Sequence, residues 1–264
     1  MKQLTHLFVV LVMGIFALSM VTGCSDSSSS SSSNLQQGDP NDPQFQAGRT
    51  YVESGITAAI GAFAAGSNYL GGFNPPLSAG TADTMAYGYN DQTGWWWYYA
   101  EEDYGSFYYI YADSIRYSED GTPQQQPDDD TDKVEMKINF EMDAEEQGTY
   151  VEYEYGMDWV VTFEDGSEGE IVVFNGTGGY ITYVYYEGEE AANALDYEYT
   201  DVKFSEEFLD GYWPYAGTTG MQLSWYYGQE LESYDVTVTY YQDHYHIYVS
   251  DGTYYWEWDE YYEG

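Results

Sequence analysis

From Gly94 to the C-terminus the chain keeps a hydropathic period of two, and that regularity limits its fold more than any other feature. In "KVEMKINFEM", residues 133–142, Val134, Met136, Ile138, Phe140 and Met142 alternate with Glu135, Lys137, Asn139 and Glu141. Successive side chains of an extended strand point to opposite faces, so this stretch reads as a strand with one dry face and one wet face. "VEYEYGMDWVVTF", 151–163, keeps the alternation through Val151, Tyr153, Tyr155, Met157, Trp159, Val161 and Phe163. At about 3.3 Å per residue it spans roughly 40 Å, or bends at Gly156.

Hairpin signals arrive at short intervals: "EDGT" from 119, "EDGS" from 164, "NGTGG" from 175 and "SDGT" from 250. Strands are predicted near 95–103, 106–117, 133–143, 150–163, 169–175, 180–187, 196–204, 220–227, 233–241, 244–250 and 253–262. "EEAANAL", 189–195, is predicted as a short helical turn, and 120–132 as a long polar loop. A meander of that many strands makes one antiparallel sheet, and so long an open sheet curls. The predicted fold class is therefore mainly β: about eleven strands curled into a barrel or half-barrel, with one N-terminal helix.

That helix is expected in "TYVESGITAAIGAFAAG", residues 50–66. Val52, Ile56, Ile60 and Phe63 recur near the helical period, Thr50 and Glu53 fit a capping box, and Gly66 fits a stop. Its alanines, Gly55 and Gly61 give thin flanks that suit close approach to a sheet. "LGGFNPPLSAG", 70–80, reads as loop.

The N-terminus carries a separate message. "MKQLTHLFVVLVMGIFALSMVTGC" runs from Lys2 into an apolar stretch, Leu7 to Val21, of the length and flanks of a secretory signal peptide. Val21, Thr22, Gly23 and Cys24 resemble the lipobox of bacterial lipoproteins, and Cys24 is the sole cysteine. The resemblance implies a diacylglyceryl group on the Cys24 thiol, cleavage between Gly23 and Cys24, and acylation of the new amino terminus, with chains of the palmitate kind. Two or three acyl chains, at about 0.8 kcal/mol per buried methylene, hold a protein stably on a membrane. With Ser25 rather than aspartate after the cysteine, the similarity places the protein at the outer membrane. "SDSSSSSSSNLQQGDPNDPQ" then reads as a flexible tether, because it has too little apolar content to offset the entropy of ordering. The expected organisation is signal peptide 1–23, lipidated serine-rich tether 24–48, and one β-rich domain with its helix, 49–264.

After the cut, five basic side chains stand against 46 acidic ones, a formal charge near −41. Such a field repels nucleic acid and anionic headgroups, which excludes both as direct partners, and it suits a saline habitat equally well. Thirty-three tyrosines, eleven phenylalanines and eight tryptophans argue for a folded core in spite of that charge. In element order alone, a helix followed by meandering strands resembles the outer-membrane lipoprotein receptor and its periplasmic carrier. The region "TGWWWYY…DSIRYSEDGTPQQQPD" is similar to that of secreted deltaproteobacterial lipoproteins with no known activity, so this likeness brings none.

Candidate chemistry is sparse. His244 and His246 share a strand face at a spacing that zinc and copper sites use, but the remaining ligands would have to be carboxylates, and pairing with the abundant acids is the expected state. Loops "YNDQ", "EED" and "PDDDTD" offer oxygens for weak calcium binding without the ligand spacing of a known calcium loop. Glu257 and Asp259 share a face, a pairing that glycoside hydrolysis would use only at the right separation in space. No serine elbow and no phosphate-cradling glycine loop is present. No catalytic residue is therefore assigned. The distinctive feature is aromatic: Trp95, Trp96 and Trp97 in "GWWWYY", and Trp256 and Trp258 in "TYYWEWDEYY", are the candidate ligand-binding residues, because exposed rings beside carboxylates suit sugar stacking. The expectation is non-catalytic binding of an amphiphilic or glycan ligand. The rival is a structural acidic spacer whose interior is filled and pocketless.

Overall fold

The computed structural model describes residues 35–70, 84–166, 169–186, 188–205, 213–227 and 230–262. The signal segment, Cys24, the serine tract and most of the 70–80 loop lie outside the described residues. In chain order the elements are β1 (Gln36–Gln37), α1 (Pro43–Leu70), β2 (Thr84–Asn90), β3 (Trp95–Asp103), β4 (Phe107–Glu119), β5 (Thr122–Gln124) and β6 (Lys133–Glu146). They continue with β7 (Thr149–Gly166), β8 (Gly169–Tyr186), β9 (Glu189–Ser205), β10 (Ala216–Tyr227), β11 (Glu230–Tyr240), β12 (His244–Ser250) and β13 (Tyr254–Tyr261).

Among the described residues all thirteen strands belong to one sheet, ordered β1-β13-β12-β11-β10-β9-β8-β7-β6-β4-β3-β2, with β5 hung on β4. Every pairing is antiparallel except β1 on β13. The two ends do not meet, so the mainly β fold is a curled half-barrel rather than a closed barrel.

Three elements escaped the sequence pattern and two readings change. β1 and β5 are two and three residues long, too short for a period to register. β2, "TMAYGYN", precedes the point from which alternation was traced. "NGTGG" is not a turn: residues 169–175 and 180–187 belong to one eighteen-residue strand, β8. Gly176, at φ +133, sits where β9 slips its register between Phe174 and Gly176, so the glycines absorb a bulge instead of a reversal. "EEAANAL" is the start of β9, not a helical turn, because cross-strand pairing with β8 overrides the helix propensity of its alanines. "EDGT" does turn the chain, with Asp120 and Gly121 both left-handed at φ 47 and 76. Gln147 and Gly148 do the same at φ 54 and 82 between β6 and β7.

The helix is longer than its pattern. It starts at Pro43, whose missing N–H costs nothing in the first turn, and its first bond runs from the Gln46 N–H to the Asp42 carbonyl at 2.9 Å. Residues 43–48, read from sequence as the end of the tether, are thus helical, and Phe45 is 3% exposed. α1 packs across one face of the sheet, from β13 through β10 to β9 and β8. Phe45 stacks on Trp256 at 4.2 Å, Tyr51 meets Trp225 at 4.6 Å, and Phe63 reaches Tyr199, Phe204 and Phe174 at 4.3, 4.9 and 5.2 Å. Tyr199 donates to the Ala59 carbonyl at 2.6 Å. Val52, Ile56, Ala59 and Phe63 are buried against Trp159, Tyr199, Val238 and their neighbours, so the interior along α1 is filled. Gly48 and Gly55 lie so close to β11 and β10 that a Cβ would stand 2.3 Å from the Tyr234 hydroxyl and 2.4 Å from Leu223.

Candidate binding groove

The candidate tryptophans divide between the two faces of the sheet. Trp256 and Trp258 face α1: Trp256 is buried under Phe45, and Trp258 lies under the Arg49 guanidinium at 4.7 Å. Both rings are part of the helix-to-sheet packing. Trp96 also faces the helix side, near Tyr89 at 5.0 Å, and donates its indole N–H to the Gln125 carbonyl at 2.6 Å. Trp95 and Trp97 face outward. Arg116 lies 5.1 Å over Trp95 and binds Glu135, while Trp97, 41% exposed, lies against Gly88 of β2.

His244 and His246 do share the outer face, each with its own acid. His246 meets Asp259 through Nδ1 at 2.8 Å and Glu257 through Nε2 at 3.8 Å; His244 meets Asp243 at 2.7 Å and stacks on Tyr241 at 4.7 Å. Among the described residues no three metal-ligating side chains converge. In the acidic loop, Asp128 accepts hydrogen bonds from Gln124 and the Asp130 N–H, and Asp132 accepts one from the Asp120 N–H, which occupies carboxylate oxygens in holding the loop.

A feature pointing to a ligand lies elsewhere, on the outer face across the middle of the sheet. There a groove of about 940 Å³ crosses β6 to β10. Register builds it. Tyr99, Ala112, Asn139, Gly156, Gly179 and Asp196 are successive cross-strand partners, so they form one line running across six strands. At about 4.8 Å between strands the line is roughly 24 Å long. Its middle has almost no side chains: a Cβ on Gly156 would meet nothing within 4 Å. On one side of the line stand Lys137, Asp158, Thr177 and Glu198, again mutual partners, with Trp97 two strands further out in the same row. On the other stand Glu141, Glu154, Ile181 and Ala194. β10 extends the groove with Gly220, Gln222 and Ser224.

No family model matches the chain, and no curated protein or solved structure does either. Chemistry at the groove must therefore be read from its own residues. Lys137 is bound to Asp158, Asn139 donates to Glu141 at 3.0 Å, and Gln222 donates to Asp235 at 3.1 Å. Asp196 has no such partner among the described residues. Its Oδ1 lies over Gly179, 2.8 Å from where a Cβ would sit; the residue is exposed, and desolvation by its neighbours raises its carboxyl pKa. At the β3 end of the line the Tyr99 hydroxyl donates to Glu101 at 2.9 Å, and Tyr108 donates to the same carboxylate at 3.1 Å. Those bonds hold both phenols protonated and raise their pKa, by the Glu101 bond first in Tyr99 and by burial first in Tyr108.

The sequence pattern missed this groove because it depends on pairing. Along the sequence Gly156 reads only as a point of bending, and Gly179 as part of a turn. Only the register of β7 on β8 puts them side by side.

Proposed function

We propose that this chain is a lipoprotein, anchored through Cys24 at the outer membrane, that binds a glycan without chemical conversion. The groove on the outer face carries the reading: a trough of about 940 Å³ with a bare floor, walls of carboxylates, amides and hydroxyls, and an exposed tryptophan in line with one wall. Sugars match such a surface because their hydroxyls need many hydrogen-bond partners and their flat faces need a ring. An extended peptide suits it less. From β6 to β9 the floor's backbone groups are already paired in the β ladder, and a peptide lying across those strands finds no edge to join. The packed interior along α1 leaves an amphiphile no room there, which favours a glycan over an amphiphile.

Native mass spectrometry of the protein extracted from its own membrane tests this reading. A retained saccharide is expected; a retained lipid, or a bare protein that also fails to bind any saccharide of a glycan panel, overturns it. The anchor is checked separately, since Cys24→Ser should leave the protein in the aqueous phase after detergent partition. The filled helix side favours a second reading, a rigid acidic spacer, and that reading predicts no saccharide binding at all.

A further inference from the structure

The two edges of the open sheet are built differently. β13 is guarded: β1 pairs with Tyr254 and Tyr255, the Gly38 N–H reaches the Tyr255 carbonyl at 2.9 Å, and Glu257, Asp259 and Glu260 charge the rest of the strand. Covering segments and charged side chains are the usual means by which a protein keeps a free edge from pairing with another chain. β2, at the other edge, has none of them. Its seven residues, "TMAYGYN", include no charge and no proline, and its pairing with β3 runs without a bulge from Thr84 opposite Glu101 to Asn90 opposite Trp95. Among the described residues nothing pairs with its far side, and Met85 and Tyr87 stand 42% and 50% exposed there.

Charge and sequence together select the occupant. The chain carries a formal −40, so a foreign strand drawn to it would be basic and would go to its acids, whereas β2 offers such a strand no charge to pair with. Two copies of so acidic a protein can meet closely only across an uncharged surface, and β2 is an uncharged edge. It is also complementary to itself. Laid antiparallel on its own copy about a two-fold axis through Tyr87, it sets Tyr87 against Tyr87, Met85 against Tyr89, Ala86 against Gly88 and Thr84 against Asn90. Each match joins residues of one face: Met85, Tyr87 and Tyr89 oppose Ala100, Tyr98 and Trp96 on the helix side, while Ala86 and Gly88 oppose Tyr99 and Trp97 on the outer side.

We propose that the chain forms a two-fold dimer through β2, its two half-barrels joined edge to edge into one continuous sheet. The guarded β13 edge keeps the contact isologous, so it closes at two copies instead of running on as a filament. The dimer is independent of what the groove binds.

Cys24 is the sole cysteine, so a mature chain carrying Cys24→Ser and one introduced thiol reports on the seam directly. Sedimentation velocity of the Cys24→Ser chain should show a reversible monomer–dimer equilibrium that shifts toward dimer as salt rises, because screening relieves the repulsion between two acidic bodies. On that background Tyr87→Glu sets two like charges face to face and should raise the dissociation constant by about tenfold or more, with the β signal in circular dichroism unchanged. A short bifunctional thiol reagent should link Tyr87→Cys to its copy, leave Met85→Cys and Tyr89→Cys unlinked when each is alone, and link those two when they are mixed. In this register the two copies of position 85 stand roughly 14 Å apart, at about 3.4 Å per residue. A chain that stays monomeric at every concentration and salt overturns the dimer, even if it takes up an extended peptide. Tyr87→Glu dimerising as tightly as its parent, or Met85→Cys linking to its own copy as readily as Tyr87→Cys, overturns β2 as the seam.

Discussion

Gly176 shows how much one residue without a side chain decides here. Its φ of +133 lies where L residues are strained, and a Cβ would stand 2.2 Å from the Asp158 carbonyl oxygen. Gly176→Ala is therefore expected to cost about 1–3 kcal/mol, read as a lowered urea midpoint. Gly156→Ala, where a Cβ meets nothing within 4 Å, should be neutral or stabilising by about 0.5 kcal/mol. Equal effects at the two positions would sink the distinction between a glycine that the bulge requires and one that keeps a trough open. Alternation alone ranks both as interruptions of a strand. Their different reasons appear only when the neighbouring strand is in place.

At the scale of elements, α1 and the sheet determine each other's spacing. Gly48 and Gly55 lie on the buried side and let the helix axis approach β11 and β10, whereas Gly61 faces open space. Gly61→Ala should raise stability by about 0.5–1 kcal/mol, the usual gain of alanine over glycine inside a helix. Gly55→Leu forces atoms into Leu223 and should cost about 1–3 kcal/mol through overpacking. Thermal denaturation of the two variants checks both signs, and a destabilised Gly61→Ala would mean that the helix packs by a different face. The apolar period of this helix was legible at Val52, Ile56 and Phe63. Its first two turns were not, because the signal for them is Pro43 and a lone Phe45, in a stretch whose prolines, glycine and polar side chains read as tether.

On the scale of the whole molecule, the aromatic content sets a behaviour at high pH. Burial, helped by nearby Glu232, raises the Tyr234 phenol to about 12, and burial with the Glu152 hydrogen bond raises Tyr150 to about 12. Tyr153, Tyr197, Tyr199 and Tyr240 are pushed upward as well, each chiefly by burial. In the unfolded chain a tyrosine ionises near about pH 10. Between that pH and the raised folded values the native state holds more protons than the unfolded one, so stability falls as pH rises through the interval. The urea midpoint should be flat below about pH 9 and drop steeply above about pH 10, with tyrosinate absorbance appearing together with loss of the β signal. Tyrosinate that forms well before unfolding would contradict the burial of these rings. The acidic surface adds an expected gain in stability with added salt, since screening relieves self-repulsion.

Period-two alternation and the hairpin turns at 119 and 250 were enough to determine a mainly β chain, most of its strands, and an aromatic core. Those properties are local: which face a side chain takes depends on its own strand, and a left-handed turn depends on two adjacent residues. Sheet closure, the position of α1, the burial of Trp256 and Trp258, and the trough through Gly156 and Gly179 were decided by tertiary structure alone. Each of these is a relation between residues far apart in the chain, fixed by which strand pairs with which and in what register, and no period along a single strand records that choice.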